Sequence, residues 1–156
     1  MKIKIIALGK IKEQYLKSGI AEYLKRLSPY IPIEILEIQP IEIKDENLTQ
    51  KILDKEGEKI LSYIKPADYV ITLEINGLQL SSENFAAKIK SVMNDGVGEL
   101  VFVIGSSCGL SANVSKRADF KLSLSKMTYL HQFTRLILLE QIYRVFKILN
   151  NEIYHK

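Results

Sequence analysis

Apolar positions change period repeatedly along the chain, and each change marks an element. Residues 3–8, IKIIAL, form a short apolar run closed by Gly9 and predict a first strand. In 13–27, EQYLKSGIAEYLKRL, the residues Leu16, Ile20, Tyr23, Leu24 and Leu27 fall on one face at helical spacing, and Pro29 and Pro32 end the helix. Residues 31–38, IPIEILEI, alternate apolar with polar, the pattern of a half-exposed strand. The charged stretch 44–65 carries a helical stripe of Ile52, Leu53, Ile60, Leu61 and Ile64, interrupted by Gly57. A third strand is predicted over 69–75, YVITLEI, ended by Asn76 and Gly77. Residues 81–93, SSENFAAKIKSVM, open with hydroxyls and Glu83, which is helix-starting chemistry. The run 99–105, ELVFVIG, reads as a strand buried on both faces. A short helix over 111–118, a last strand over 120–125, a long helix over 131–150 and a polar tail complete the chain.

Strands alternate with helices throughout, which predicts an α/β fold with a mostly parallel sheet flanked by helices. No repeat, low-complexity tract or linker divides it, so residues 1–156 are expected to form a single domain. The last helix is apolar on more than one face, through Phe133, Leu136, Ile137, Leu139, Ile142, Tyr143, Phe146 and Leu149. Such a helix is covered on both sides. The expectation is that the sheet covers one side and a second subunit the other, in a symmetric dimer.

Composition adds limits. The net charge of +4, from 22 basic and 18 acidic residues, permits a polyanionic partner without requiring one. The single cysteine, Cys108, excludes an intrachain disulfide and fits a reducing compartment. The first residues lack a signal-peptide pattern, and no run reaches the roughly 20 apolar residues of a membrane span, so a cytoplasmic protein is expected. Two histidines and one cysteine make no metal-ligand spacing. Cys108 itself reads as a small loop residue, with no cationic neighbour to activate it.

The candidate chemistry lies at strand ends. IGSSCGLS, from residue 104, lacks both the glycine spacing of a dinucleotide fingerprint and the lysine of a phosphate loop. LEINGLQLSSENFA, taken alone, is a turn followed by a serine cap. The long hydroxyl run SLSKMTYL, from 123, leads directly into the last helix. Beyond the carboxyl ends of strands is where open α/β sheets bind ligands, and three such loops on one edge predict a pocket. His131, where the helix begins, reads as a cap; His155, in the tail, reads as solvated; both have intrinsic pKa values near neutrality.

Together, ALGKIKEQYLKSGIAEYLKRLSPY, DKEGEKIL, LEINGLQLSSENFA, FVIGSSCGL, LSLSKMTYLHQFTRLILLEQIYRVFKI and the terminal YHK resemble one bacterial family over essentially the whole chain. These are the large-subunit ribosomal RNA pseudouridine N3-methyltransferases, small SPOUT-class enzymes that use S-adenosylmethionine. The resemblance implies a C-terminal trefoil knot, a homodimer, and methyl transfer to a pseudouridine of 23S rRNA in assembled ribosomes. It implies cofactor binding by Leu73, Gly105 and the loop of Leu124, Ser125, Lys126, Met127, Thr128 and Tyr129. His131, Arg135, Arg144, Tyr154 and His155 are the candidates for deprotonating the target nitrogen or holding the RNA. Two positions depart from the family pattern: Ser106 replaces the second of two glycines, and Leu130 replaces a proline. A SPOUT enzyme for another RNA such as transfer RNA, and a ribosome-binding module without catalysis, are the competing readings.

Overall fold

Strand β1 (Lys2–Leu8) sends alternate side chains to opposite sides, because successive Cβ atoms of a strand point to opposite faces. Ile3, Ile5 and Ala7 enter one apolar core; Ile6 and Leu8 enter another. The computed structural model describes residues 1–42 and 46–154. Its strands β1, β2 (Ile33–Ile38), β3 (Tyr69–Gln79), β4 (Glu99–Ile104) and β5 (Phe120–Ser123) form one sheet in the order β2-β1-β4-β3-β5. Every pairing in it is parallel. All six residues of β4 are buried: Glu99, and then residues 100–104, a continuous apolar run of the kind expected at a sheet centre. The alternating β2 lies at an edge, half exposed.

Helices cover both faces. The first core lies under α1 (Gln14–Leu27), α3 (Ser82–Asn94) and α5 (His131–Leu149), and the second under α2 (Thr49–Ser62) and α4 (Ala112–Arg117). Serine hydroxyls set two helix starts: Ser81 accepts from the Asn84 N–H at 3.1 Å, and Ser111 from Val114 at 3.3 Å.

Four expectations change. The first concerns the last helix, much of whose apolar surface is covered within the protomer, while Phe133 stays exposed and Leu136, Ile137, Ile148 and Leu149 stay half-buried. Leu138, Leu139, Ile142, Tyr143, Val145 and Phe146 are buried, with α1 along one flank of α5 and α3 along the other. Gly19 of α1 helps, because a Cβ there would meet Leu136 at 3.0 Å. Ile142 and Phe146 are therefore core residues of the protomer. Second, α2 runs straight through Gly57, which is needed there: a Cβ would lie 2.1 Å from Ser111 Oγ. Lys44 and Asp45, expected at the head of that stretch, fall outside the described residues.

Third, Asn76–Gly77 does not end β3. Leu73 and Leu78 both pair with Leu122, so the four residues between them bulge out and the strand resumes. Gly77 allows this, since a Cβ would stand 2.7 Å from the Lys121 carbonyl. Fourth, β5 stops at Ser123, two residues early, because hydroxyls take over the backbone: Ser123 Oγ donates to the Ser125 carbonyl at 3.0 Å, and Ser125 Oγ accepts from Met127 N–H at 3.0 Å.

Candidate functional site

The three loops do converge. A cavity of about 630 Å³ opens beyond the carboxyl ends of β3, β4 and β5. Leu73–Asn76 contribute the β3 bulge, Ile104–Leu110 the turn after β4, and Leu122–Ser125 the end of β5. Met127–His131 and Thr134 close the remaining side. The volume is within the usual range for a small-molecule site.

The turn after β4 is held tightly. Gly109 N–H donates to the Ser106 carbonyl at 2.9 Å, and Gly109 has φ +85°, a conformation that favours glycine. A Cβ on Gly105 would sit 2.5 Å from the Gly109 carbonyl oxygen. Ser106 Oγ accepts from Cys108 N–H at 3.3 Å and donates to Glu56 of α2 at 3.4 Å. Glu56 is buried, and its other oxygen accepts from Ile41 N–H at 3.1 Å. The hydroxyl of Ser106 thus ties the turn to the helix behind it. On the opposite wall, Glu74 accepts from Thr72 Oγ1 at 2.6 Å and from Ser115 Oγ at 3.0 Å. Spacing in sequence gave no signal for Glu56, which reads as one more charge in a charged helix, nor for the pairing of Glu74 with Ser115.

Of the residues assigned to cofactor binding, Leu73, Gly105, Leu124, Ser125, Met127, Thr128 and Tyr129 line the cavity. Lys126 belongs to the same loop, but it is exposed and outside the lining. Met127 and Tyr129 are exposed in the lining, as are Leu130 and Ile75.

The candidates for chemistry separate. His131 lines the cavity and is the first residue of α5; Leu130, not His131, is the N-cap, and it makes no side-chain cap. Burial, and then the charge of Arg135, push the His131 pKa below its usual value, against a smaller opposing pull from Glu13. The imidazole is therefore neutral near pH 7, with a free lone pair on one nitrogen. Arg135 does not reach the cavity. It is 1% exposed, donating through Nη2 to the carbonyls of Leu8 at 2.8 Å and Gly9 at 2.5 Å, with Nη1 3.4 Å from the Glu37 carboxylate. It is a brace between α5 and the end of β1.

Arg144 stands thirteen residues beyond His131 on α5, about 20 Å along the helix axis by its rise per residue. Its guanidinium pairs with Glu140 at 2.6 Å and lies 4.9 Å from the centre of the Tyr154 ring. Tyr154 is not a solvated tail residue. Its ring meets Tyr143 edge-on at 4.8 Å, and its hydroxyl is 3.4 Å from that of Tyr23 and 3.2 Å from Glu140. Burial first, then Tyr23 and Glu140, raise its pKa. His155 lies outside the described residues.

Among the described residues no three His, Cys, Asp or Glu side chains converge as a metal site, and no helix is long and apolar enough to cross a membrane. A family model described as predicted SPOUT methyltransferase matches residues 1–155. The ribosomal RNA large subunit methyltransferase H of Carboxydothermus hydrogenoformans is 55% identical over 160 aligned residues, covering the whole of both chains. With a parallel sheet whose C-terminal strand ends enclose one cavity, and with these matches running its full length, the chain belongs to the SPOUT methyltransferase family.

Proposed function

We propose that this methyltransferase moves a methyl group from S-adenosylmethionine to N3 of a pseudouridine in 23S rRNA within assembled ribosomes. The observation that carries the reading is the cavity at the ends of β3, β4 and β5, in a chain whose full-length relative is a ribosomal RNA large subunit methyltransferase. The lining suits the cofactor. Leu73, Ile104, Leu110, Leu122 and Leu124 offer apolar walls for a flat purine, and the backbone and hydroxyls of 105–109 and 123–128 offer polar partners. Bound there, the cofactor supplies an electrophilic methyl group on a sulfonium. The homodimer and the trefoil knot that the family resemblance implies are part of the same proposal. The exposed apolar lining residues Ile75, Met127, Tyr129 and Leu130, with Phe133 exposed on the adjoining first turn of α5, support a covering second copy.

The chain's own task is to make the acceptor nitrogen reactive. N3 of a uracil ring carries a proton and attacks poorly until that proton leaves. His131, which lines the cavity and has its pKa held below the usual value by burial and by Arg135, is the group assigned to accept it. Arg144, Tyr154 and His155 are assigned to RNA contact, through a cation, an aromatic face and an imidazole. Lys126, exposed beside the cavity, is suited to a phosphate.

The test is labelled-methyl transfer to ribosomes from a strain lacking the activity, with free ribosomal RNA and transfer RNA in parallel. Label at N3 of a large-subunit pseudouridine, on ribosomes only, is the expected result. Transfer to transfer RNA instead would move the substrate assignment. No transfer and no cofactor binding would end the reading.

A further inference from the structure

We propose that the carboxylate of Glu74 is the group by which the cavity prefers a cationic sulfonium donor over the neutral thioether left after transfer. The inference rests on the methyl-transfer reading and deepens it.

Glu74 is the acidic residue of the cavity lining, and no lysine or arginine shares that lining. His131, the remaining titratable base in the wall, is held neutral near pH 7 by its burial and by Arg135. No ion pair among the described residues engages Glu74. The lining thus holds a carboxylate with no lysine or arginine of the lining set against it. A partly buried charge in that position favours a cationic ligand.

The carboxylate is also held in place. It sits where β3 leaves its register with β5, so its backbone bulges toward the cavity and does not continue along the sheet edge. Thr72 Oγ1 donates to one of its oxygens at 2.6 Å and Ser115 Oγ to the other at 3.0 Å. Thr72 is fully buried and Ser115 belongs to α4, so the two anchors come from different elements. Each donor occupies one lone pair, and each carboxylate oxygen keeps another for a ligand. A side chain needed only at the surface would not require two orienting hydroxyls from separate parts of the fold.

A carboxylate facing the sulfur interacts with the donor's positive charge and has no such charge to meet once the methyl group has gone. Differential interaction of this kind is what allows a site to hold substrate and release product. A carboxylate that instead accepted hydrogen bonds from ribose hydroxyls would treat both forms alike, since the ribose does not change. The two roles are therefore separable by binding alone.

The experiment is calorimetric titration of wild type, Glu74→Gln and Glu74→Asp with S-adenosylmethionine and, separately, S-adenosylhomocysteine, with thermal melts as a folding check. Glutamine keeps the shape and an acceptor oxygen while removing the charge, so the variant should fold. The expected result is that Glu74→Gln weakens S-adenosylmethionine by about tenfold and leaves S-adenosylhomocysteine within about twofold. Glu74→Asp, which keeps the charge, should restore part of the preference. Equal weakening of both ligands would assign Glu74 to the ribose and overturn the proposal. Unchanged binding of both would also overturn it. If wild type binds neither ligand, the cofactor reading falls first and this inference with it.

Discussion

Replacing Arg135 with methionine separates a structural cation from a catalytic one. Arg135→Met keeps an unbranched apolar stem in the first core and removes the guanidinium. Two buried carbonyls, Leu8 and Gly9, then lose donors at 2.8 and 2.5 Å. A buried polar group left without its partner costs about 1–3 kcal/mol. Glu37 is 37% exposed, so water can replace its share of the contact. Against the loss stands the gain from no longer burying a cation, a cost visible in the lowering of the Arg135 pKa by burial. The net should be a destabilisation of about 3 kcal/mol. For a chain of this length that is a fall in Tm of roughly 6–12 °C. Urea unfolding should show a lower midpoint with an unchanged slope. Methyl transfer measured well below the new Tm should remain close to wild type. A variant that melts at the wild-type temperature but has lost methyl transfer would refute the reasoning, and Arg135 would return to the chemistry.

Gly105→Val should lower S-adenosylmethionine affinity at least about tenfold, because overpacking a tight turn costs about 1–3 kcal/mol and its Cβ would drive into the Gly109 carbonyl at 2.5 Å; normal affinity by calorimetry would show the turn to be uninvolved. Acid should weaken the fold through Glu99. Burial alone would raise its pKa, but Lys4 at 2.7 Å, with Lys2 and Lys65, holds it below 4.5. A depressed carboxylate stabilises the fold above its unfolded value, and that contribution is lost as pH falls through the folded one. Glu99→Gln should therefore flatten the urea midpoint between about pH 5 and pH 3, and an unchanged slope would count against the pairing. Deleting residues 154–156 should lower Tm by a few degrees, since an aromatic pair such as Tyr143–Tyr154 contributes about 0.5–1.5 kcal/mol; an unaltered melt would return the tail to solvent.

The central strands were legible because β4 carries an uninterrupted apolar run, residues 100–104, and β1 a run broken only by Lys4, and burial on both faces leaves that signature in the composition. The convergence of loops was legible for a related reason: parallel strands carry their ends to one side, so three strand ends in sequence become neighbours in space. What remained hidden depended on partners far away in the chain. Asn76 and Gly77 have turn chemistry, but the Lys121 backbone fills the space beside Gly77 and draws β3 onward. The apolar surplus of α5 announces that it is covered without saying by what; α1 and α3 cover most of it and leave Phe133 exposed. Arg135 looks like a cation beside a histidine; only the carbonyls 126 and 127 residues away identify it as a brace. Glu74 and Ser115 are 41 residues apart, with no pattern linking them.

The strand order has a consequence for how the protein is made. β1 precedes both β2 and β4 in the chain, yet in the finished sheet it lies between them. Its pairing with β2 spans about thirty residues and can form early, as Ile3 opposite Ile33 requires. Its other edge must wait for β4, with Lys2 opposite Glu99. At about 5–20 residues per second of synthesis, that edge stays open for roughly 5–20 s. During that time an apolar parallel ribbon exposes unpaired N–H and C=O groups, which is the condition that favours pairing with another chain. Lys2 and Lys4 on β1 and Glu34 and Glu37 on β2 put charges on that half-built sheet, the kind of residue by which exposed strand edges discourage pairing with another chain.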